Sequence, residues 1–253
     1  MIDIHNHILP GIDDGCRSLE ESLELARLAV KEGIHHIIAT PHHANGRYQN
    51  EAEKVRQAAA QLNLALSEEG VNLQIHTGQE IRVYKELLDD LNAGKLLTLA
   101  GSRYMLLEFP SRQVPEGIED LLHELSLAGI TAIIAHPERN MELVGNLSRL
   151  ADLIDRGALA QMTTHSINGL FGRKIQSISL DMCRSNLIHF LSSDAHNPME
   201  RPFFLQTAAT YIMKKLGEGT YSYYKENASR VLYNQEIIPI SHNVHNKKRF
   251  LFW

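Results

Sequence analysis

The sequence predicts an α/β fold in which a parallel sheet, with helices on its outside, closes into a barrel. Roughly seven apolar, β-rich runs alternate along the chain with segments of helical periodicity, and this alternation is typical of parallel sheets. The length of 253 residues suits a single barrel domain. Several of the apolar runs end in His, Glu or Asp, and barrels of this kind carry their chemistry at the carboxyl ends of the strands.

The predicted elements follow the chain in this alternating order. Strands are expected at 2–7, 34–40, 72–78, 104–109, 130–135, 158–163 and 187–191. Helices are expected at 19–32, 51–69, 84–92, 116–128, 147–156, 202–216 and 220–230. Ser18 and Glu21 fit a capping box at the start of the first helix. No repeat or linker interrupts the pattern, so residues 1–235 are predicted to form one domain.

Residues 236–253 are expected to form a C-terminal tail, since they show no clear periodicity. The tail contains Lys247, Lys248 and Arg249, followed by the apolar run Phe250-Leu-Phe-Trp253. We expect a loose or surface-packed end, with a docking tail as the alternative.

The composition excludes several classes of protein. A net charge of −5 provides no basic field for nucleic acid or an anionic membrane. The two cysteines, Cys16 and Cys183, cannot build a disulfide framework or a cysteine-based zinc site. No apolar run approaches the ~20 residues that span a bilayer. The chain enters its first predicted strand without a basic, then apolar, leader, so we expect a cytoplasmic location.

The pair His5 and His7 stands at the start of the predicted site. Alternate residues of a strand point to the same side, so both imidazoles can converge on one metal ion. On its own this pattern is weak, because a chain with 14 histidines contains such pairs by chance. Polar residues at the ends of the later predicted strands strengthen the interpretation as a metal site.

Polar side chains that suit metal binding follow nearly every predicted strand. They are His5, His7, Asp13 or Asp14, His42, Glu80, Glu108, His136, Asp194 and His196. Imidazole and carboxylate donors without thiolate favour Mn, Fe or Zn. The set exceeds what one ion can use, so two or three ions bridged by carboxylates are expected. Carboxylates this close together need cations to neutralise them.

Each of these residues also has a structural alternative. Glu108 could be a buried partner of Arg103 or Arg139, and Asp194 and His196 could cap a following helix. The sixth strand supplies no ligand. His43 and His165 are expected near the site, as possible substrate contacts.

Arg139 and Arg201 follow two of the candidate ligands closely and are expected at the rim of the site. The guanidinium fork matches phosphate oxygens, so both are predicted to bind phosphate and stabilise the transition state. The alternative is a surface salt bridge of each with its neighbour, Glu138 or Glu200.

The ordered ligand set resembles the PHP (polymerase and histidinol phosphatase) family over roughly residues 1–235. Its details are similar to the CpsB/YwqE type of bacterial tyrosine-protein phosphatase. The motifs that carry the resemblance are Ile2-Asp-Ile-His-Asn-His7, Asp13-Asp-Gly15, Ser102-Arg-Tyr104, Leu107-Glu-Phe109, Ile134-Ala-His-Pro-Glu-Arg139 and Ser193-Asp-Ala-His196. The resemblance implies a distorted (β/α)7 barrel with a trinuclear metal centre.

The resemblance also implies how the ligands are shared. One ion would take His5, His7, Glu80 and Asp194; a second would take Glu80, Glu108 and His136; a third would take Asp14, His42 and His196. Asp14 is preferred to Asp13, although the register of this pair is ambiguous. Mn²⁺ is the expected metal, with Fe or Zn as alternatives, because the donor set is rich in carboxylate.

The implied function is hydrolysis of phosphotyrosine, on a bacterial tyrosine kinase and its targets that control capsule and exopolysaccharide synthesis. A sister phosphatase of a small phosphomonoester such as histidinol phosphate is the nearest alternative, and a non-catalytic phosphotyrosine-binding barrel is a weaker one. An amidohydrolase would resemble its family better with a Lys in place of Glu108. A cysteine-nucleophile phosphatase is excluded, since neither cysteine has an Arg six positions later.

Overall fold

The computed structural model describes residues 1–244. Its strands are β1 (Ile2–Asp3), β2 (His36–Ala39), β3 (His42–His43), β4 (Gln74–Thr77), β5 (Glu80–Arg82), β6 (Tyr104–Glu108), β7 (Thr131–Ala135), β8 (Leu159–Thr163) and β9 (Phe190–Ser192). Each predicted strand has a counterpart among them, and the predicted alternation of strand and helix is confirmed.

The helices lie between these strands and after the last one. They are α1 (Leu19–Lys31), α2 (Ala52–Glu68), α3 (Leu87–Asn92), α4 (Ile118–Leu127), α5 (Met141–Gly145), α6 (Leu147–Asp155), α7 (Thr164–Ile167), α8 (Arg173–Arg184), α9 (Leu205–Leu216) and α10 (Glu218–Leu232). Among residues 1–244, none of the helices combines the length and the apolar character that crossing a membrane requires.

The strands form two parallel sheets. One has the order β1-β2-β4, and the other has the order β3-β5-β6-β7-β8-β9. A parallel bridge between Asn6 and Ala195 links the continuation of β1 to the residues that follow β9. The predicted parallel α/β class is therefore confirmed.

Two predicted strands are each followed by a second, short strand that belongs to the other sheet. Run 34–40 ends at Pro41, which has no N–H to donate to a ladder, and the chain enters the second sheet as β3. Run 72–78 ends at Gly78, where an added Cβ would lie 2.9 Å from a methyl of Leu99. The chain then enters the second sheet as β5. The two interruptions thus place His42 and Glu80 at the starts of β3 and β5.

Apolar side chains pack on both faces of the sheets. The inner core comprises Ile4, Ile38, Leu99, Tyr104, Leu106, Ile133, Ala135, Leu159 and Phe190, together with Ala228, Val231 and Ile237. Their sequence neighbours Ile37, Met105, Ala132, Ile134 and Ala160 belong instead to the larger outer core, with the helices. This alternation follows from the period of two in a strand.

Local signals account for some helices better than for others. Ser18 Oγ accepts the Glu21 N–H at 3.3 Å, which confirms the cap predicted for α1. Helix α8, however, was not predicted from the sequence. Its buried residues are Ser179, Leu180, Met182 and Cys183, but seven of its twelve residues are polar, so the low apolar content of the segment hid the helix from sequence analysis.

The described part of the predicted tail lies along the domain surface. The Tyr104 hydroxyl donates to the carbonyl of Gln235 at 2.7 Å and accepts the N–H of Ile237 at 3.1 Å. Farther along, the N–H of Asn243 donates to the carbonyl of Ser185 at 3.0 Å. Residues 245–253, which carry the basic and aromatic end of the predicted tail, lie outside the described residues.

The buried His189 is expected to make the fold sensitive to acid. Its Nδ1 accepts the N–H of Ala160 at 3.1 Å, and burial lowers its pKa from 6.5 to about 4. The unfolded chain therefore binds this proton first, so the stabilisation is present above pH 6.5 and is lost as the pH falls through about 4. The difference corresponds to about 3 kcal/mol.

Replacing His189 with Asn keeps an acceptor near Nδ1 and removes the titration. Urea unfolding at about pH 7 and about pH 4.5 should show a smaller fall in the free energy of unfolding for H189N than for the wild type. Equal falls in the two proteins would contradict this assignment.

Candidate metal centre

The structure brings all nine sequence-predicted metal ligands into one cluster. Their donor atoms form four overlapping groups, within each of which the atoms lie no more than 4.8 Å apart. The groups are His7, Asp14, His42 and His196; His5, His7 and Glu80; His5, His136 and Asp194; and His42, Glu80 and Glu108. Because they overlap, the groups describe one continuous pocket rather than separate sites.

Strand register explains why the cluster forms. His42 of β3 pairs with Glu80 of β5, so these two side chains lie beside each other. Leu106 belongs to the inner core, and Glu108 follows it by two residues on the same face of β6. The inner face of the sheets is thus apolar along the strands and becomes polar at their carboxyl ends.

Two of the candidate ligands have a left-handed backbone. The φ angles are 34° at His136, directly after β7, and 55° at Asp194, two residues after the end of β9. This conformation costs a non-glycine residue about 1 kcal/mol or more and is concentrated at functional sites. It ends each strand and turns the side chain toward the pocket.

Glu80 lies at the centre of the cluster. Its Oε1 is 2.7 Å from Nε2 of His136. Its Oε2 is 2.9 Å from Nδ1 of His42 and 3.4 Å from Nε2 of both His5 and His7. The side chain is 1% exposed. One carboxylate that faces four imidazoles can bridge more than one cation.

Asp14, and not Asp13, provides a free carboxylate on the outer side of the cluster. Asp14 Oδ1 lies 3.5 Å from Nε2 of His42 and 3.7 Å from Nε2 of His196. The following Gly15 has to be glycine, because an added Cβ would collide with the backbone carbonyl of His7. The structure thus supports the choice of Asp14 from the ambiguous pair.

Asp13 has a different role from Asp14, and the sequence alone did not distinguish the two residues. Its Oδ2 lies 2.7 Å from Nδ1 of His7 and accepts the N–H of His42 at 3.0 Å. Its Oδ1 accepts the N–H of Gly15 at 2.9 Å. Asp13 therefore orients ligands instead of facing the pocket.

The chemistry of the converging atoms tests whether a metal ion fits. Nε2 of His5, Nε2 of His7, Nδ1 of His42 and Oε2 of Glu80 are all buried without a hydrogen-bond partner, because even the 2.9 Å approach of the last two atoms lacks the angle of a hydrogen bond. Leaving a buried polar atom unpaired costs roughly 1–3 kcal/mol, so four in one place need a common partner. Imidazole nitrogen and carboxylate oxygen are divalent-metal donors. The residues therefore fit a metal centre.

Charges around the two central carboxylates keep them ionised. Burial alone would raise the pKa of Glu80, but His5 and His42 bring it well below its ordinary value. Burial also opposes ionisation of Asp194, whose pKa the guanidinium groups of Arg139 and Arg201 lower strongly. Ionised carboxylates are the form that binds divalent ions.

Arg139 and Arg201 both reach the cluster, as predicted, but each pairs with a candidate ligand. Arg139 Nη1 donates to Asp194 Oδ2 at 2.6 Å, and Arg201 Nη2 donates to the same oxygen at 2.7 Å. Their side chains are 30% and 29% exposed, so both arginines are partly accessible from the solvent side. The alternatives of salt bridges with Glu138 and Glu200 are wrong.

Glu108 is held by an arginine that sequence analysis missed. Arg82 Nε donates to Glu108 Oε2 at 3.0 Å, and Arg82 Nη2 lies 2.8 Å from Oε1. Glu108 thus pairs with Arg82, and not with Arg103 or Arg139, the alternative partners suggested by the sequence. The signal was available, because Arg82 follows Glu80 by two residues in the same short strand.

Aromatic side chains flank the pocket. The ring of Tyr48 stacks on His42, with centroids 6.2 Å apart and an interplanar angle of 6°. Phe171, which is 40% exposed, lies under the guanidinium of Arg139 at 5.7 Å. His165 stacks on Phe171, whereas His43 bonds through Nδ1 to the carbonyl of Asn50. Neither histidine belongs to a group of candidate ligands.

Known proteins share both this sequence and this fold. A model of the CpsB/CapC proteins of capsular polysaccharide synthesis matches residues 1–233. The tyrosine-protein phosphatase YwqE of Bacillus subtilis (strain 168) is 47% identical over 237 residues, 94% of this chain and 93% of that protein. The tyrosine-protein phosphatase CpsB of Streptococcus pneumoniae is 34% identical over 226 residues, 86% of this chain and 91% of that protein.

A solved structure extends the likeness to the backbone. It is one of the crystal structures of YwqE from Bacillus subtilis and CpsB from Streptococcus pneumoniae, which are unique metal-dependent tyrosine phosphatases. It matches with a TM-score of 0.93 and 45% identity over 97% of this chain and 100% of that chain. The resemblance to CpsB/YwqE-type proteins is thereby confirmed, and the chain belongs to the CpsB/CapC family of capsular polysaccharide synthesis proteins.

Proposed function

We propose that this protein is a metal-dependent tyrosine-protein phosphatase that hydrolyses phosphotyrosine. The observation that carries the proposal is the convergence of unpaired buried donors of His5, His7, His42 and Glu80, with two arginines at the rim. Relatives that are named tyrosine-protein phosphatases, at 47% and 34% identity, support the same reading.

The proposed architecture is a distorted (β/α)7 barrel of the PHP family, formed as a single domain by residues 1–235. Contacts between the first and last strands support closure. Asn6 bridges to Ala195, and Asp3 Oδ1 accepts the N–H of Ser193 at 2.8 Å. These contacts join the three-stranded sheet to the far edge of the six-stranded one.

The proposed centre holds two or three ions, with Mn²⁺ as the metal. His5, His7, Glu80 and Asp194 would hold one ion; Glu80, Glu108 and His136 a second; Asp14, His42 and His196 a third. The position of Glu80 between the histidines supports its role as a bridge. Four carboxylates among nine ligands favour Mn²⁺ or Fe over Zn²⁺.

The chain's own groups account for phosphate binding and for selectivity. Arg139 and Arg201 bind the phosphoryl oxygens and stabilise the charge that develops on them. Phe171 and Tyr48 border the pocket and pack against the aromatic ring of the substrate. Bound ions supply Lewis acidity and a water of lowered pKa. A phenolate leaving group, with a conjugate-acid pKa of about 10, needs less protonation than an alkoxide.

The proposed partner is a phosphotyrosine-containing bacterial protein, a tyrosine kinase or one of its targets in capsule and exopolysaccharide synthesis. The match to a capsular polysaccharide synthesis family supports this setting. We propose a cytoplasmic location for the phosphatase and for this partner.

Removal and return of metal should switch the activity off and on. Chelator-stripped protein is expected to release no phosphate from a phosphotyrosyl peptide, and added Mn²⁺ is expected to restore release more fully than Zn²⁺ or Mg²⁺. Phosphate release from histidinol phosphate is measured in parallel.

The two substrates distinguish the proposed function from its alternatives. Faster turnover of histidinol phosphate would make the protein a small-molecule phosphatase with the same metal chemistry. Full activity of the stripped protein would contradict metal dependence. Metal binding without turnover of either substrate would contradict the enzymatic proposal.

A further inference from the structure

Gln161 is a buried amide in β8, the strand that contributes no candidate ligand. Its Oε1 lies 2.8 Å from Nδ1 of His5, and both residues are 0% exposed. Leu159 and Phe190 pack beside it in the inner core. A buried polar side chain among apolar neighbours costs stability unless it is hydrogen-bonded, so the contact with His5 accounts for an amide at this position.

The orientation of the amide is set by its second hydrogen bond. Nε2 of Gln161 donates to the carbonyl oxygen of Met162 at 2.7 Å. If the amide were turned over, Oε1 would face this carbonyl, and two buried acceptors would oppose each other. Oε1 therefore faces His5. Since this oxygen only accepts, Nδ1 of His5 carries the hydrogen.

The hydrogen on Nδ1 decides what the other side of the ring can do. In a neutral imidazole with Nδ1 protonated, the lone pair is on Nε2. Nε2 of His5 is buried without a hydrogen-bond partner and lies 3.4 Å from Glu80 Oε2 and 3.6 Å from Asp194 Oδ1. The lone pair thus faces the two carboxylates of the candidate metal centre.

We infer that Gln161 is a positioning residue, which holds His5 in the tautomer and orientation that bind a divalent ion through Nε2. The inference rests on the proposed metal dependence and goes beyond it, because it assigns a residue that is itself no ligand. Partners of this kind change metal affinity about 10- to 100-fold.

Two other candidate ligands are held in the same way by different acceptors. Nδ1 of His7 lies 2.7 Å from the carboxylate of Asp13, and Nδ1 of His196 lies 3.0 Å from the backbone carbonyl of Asp194. At His5 the acceptor is a neutral amide. It orients the ring without placing another buried anion beside Glu80.

Two substitutions at Gln161 separate its hydrogen bond from its volume. Gln161→Leu removes the acceptor and keeps a side chain of similar size, whereas Gln161→Glu keeps an oxygen acceptor. Asn227→Leu is the matched control, since Asn227 is also a buried amide and donates to the carbonyl of His189. Each metal-stripped protein is titrated calorimetrically with Mn²⁺ and with Zn²⁺, without substrate.

We expect Q161L to raise the Kd of one ion about 10- to 100-fold. Q161E, which keeps the acceptor for His5 but loses the donor to Met162, should bind more tightly than Q161L, and N227L should bind as the wild type does. A wild-type Kd for Q161L would overturn the inference, and so would equal weakening in Q161L and N227L. The readout is independent of turnover, so loss of phosphatase activity alone does not affect it. Failure of the wild-type protein to bind either metal would instead contradict the proposed function.

Discussion

Replacing Glu80 with Gln should abolish phosphate release and lower the bound metal content. The amide cannot bridge two cations, although it has nearly the same shape as the carboxylate. Glu80 faces His5, His7, His42 and His136, so its charge serves the whole pocket. Loss of metal stabilisation worth about 4 kcal/mol corresponds to roughly a 10³-fold fall in kcat/KM.

The measurement combines turnover of a phosphotyrosyl peptide with metal content by elemental analysis. Glu142→Gln is the matched control, because Glu142 is a nearby carboxylate that accepts the N–H of Val114 and belongs to no candidate group of ligands. It is expected to keep both activity and metal. If E80Q retained its metal and its activity, the assignment of Glu80 as a bridge would be wrong.

Replacing Arg139 with Met should lower kcat/KM by about 10²- to 10³-fold while the metal content stays near that of the wild type. Removing this guanidinium takes away a donor for the phosphoryl oxygens. Arg201 remains bonded to Asp194 Oδ2 at 2.7 Å, so the carboxylate keeps one cationic partner and its place in the pocket.

Arg149→Met provides the comparison for this second variant. Arg149 pairs with Glu119 and lies outside the cluster, so its loss should leave turnover unchanged. Inorganic phosphate, tested as a competitive inhibitor, should bind more weakly to R139M. If R139M lost metal in proportion to activity, Arg139 would serve to hold Asp194 rather than to bind phosphate.

The positions of eight of the nine candidate ligands could be predicted from sequence because each lies in or just after an apolar run. The ninth, Asp14, lies in a polar loop, and the preference for it over Asp13 came from the resemblance. In a parallel sheet the carboxyl ends of the strands meet at one edge, so residues far apart in sequence are brought together. The interpretation of those residues as ligands to Mn²⁺ stays a prediction. The order of most strands and helices was predictable from the different periods of apolar residues in the two kinds of element.

The features that sequence analysis missed depend on tertiary contacts. Gln161 has no motif, and only its place opposite His5 reveals its role. Arg82 became important through its register with Glu108 across two strands. Helix α8 is rich in polar residues but buries Leu180, Met182 and Cys183, and these contacts appear only in the folded structure. The short strands β3 and β5, which follow Pro41 and Gly78, likewise depend on pairing with other strands of the second sheet.

The pairing of the two ends of the domain is a condition for the assembly of the pocket. The hydrogen bond from Ser193 to Asp3 spans 190 positions of the chain, and contacts of such high sequence separation form slowly because they close long loops. His5 and His7 adjoin one partner of this bond, and Asp194 and His196 adjoin the other. The two parts of the pocket can therefore meet only in a chain whose ends have paired, and we expect tight metal retention to distinguish a fully folded chain from a partly folded one.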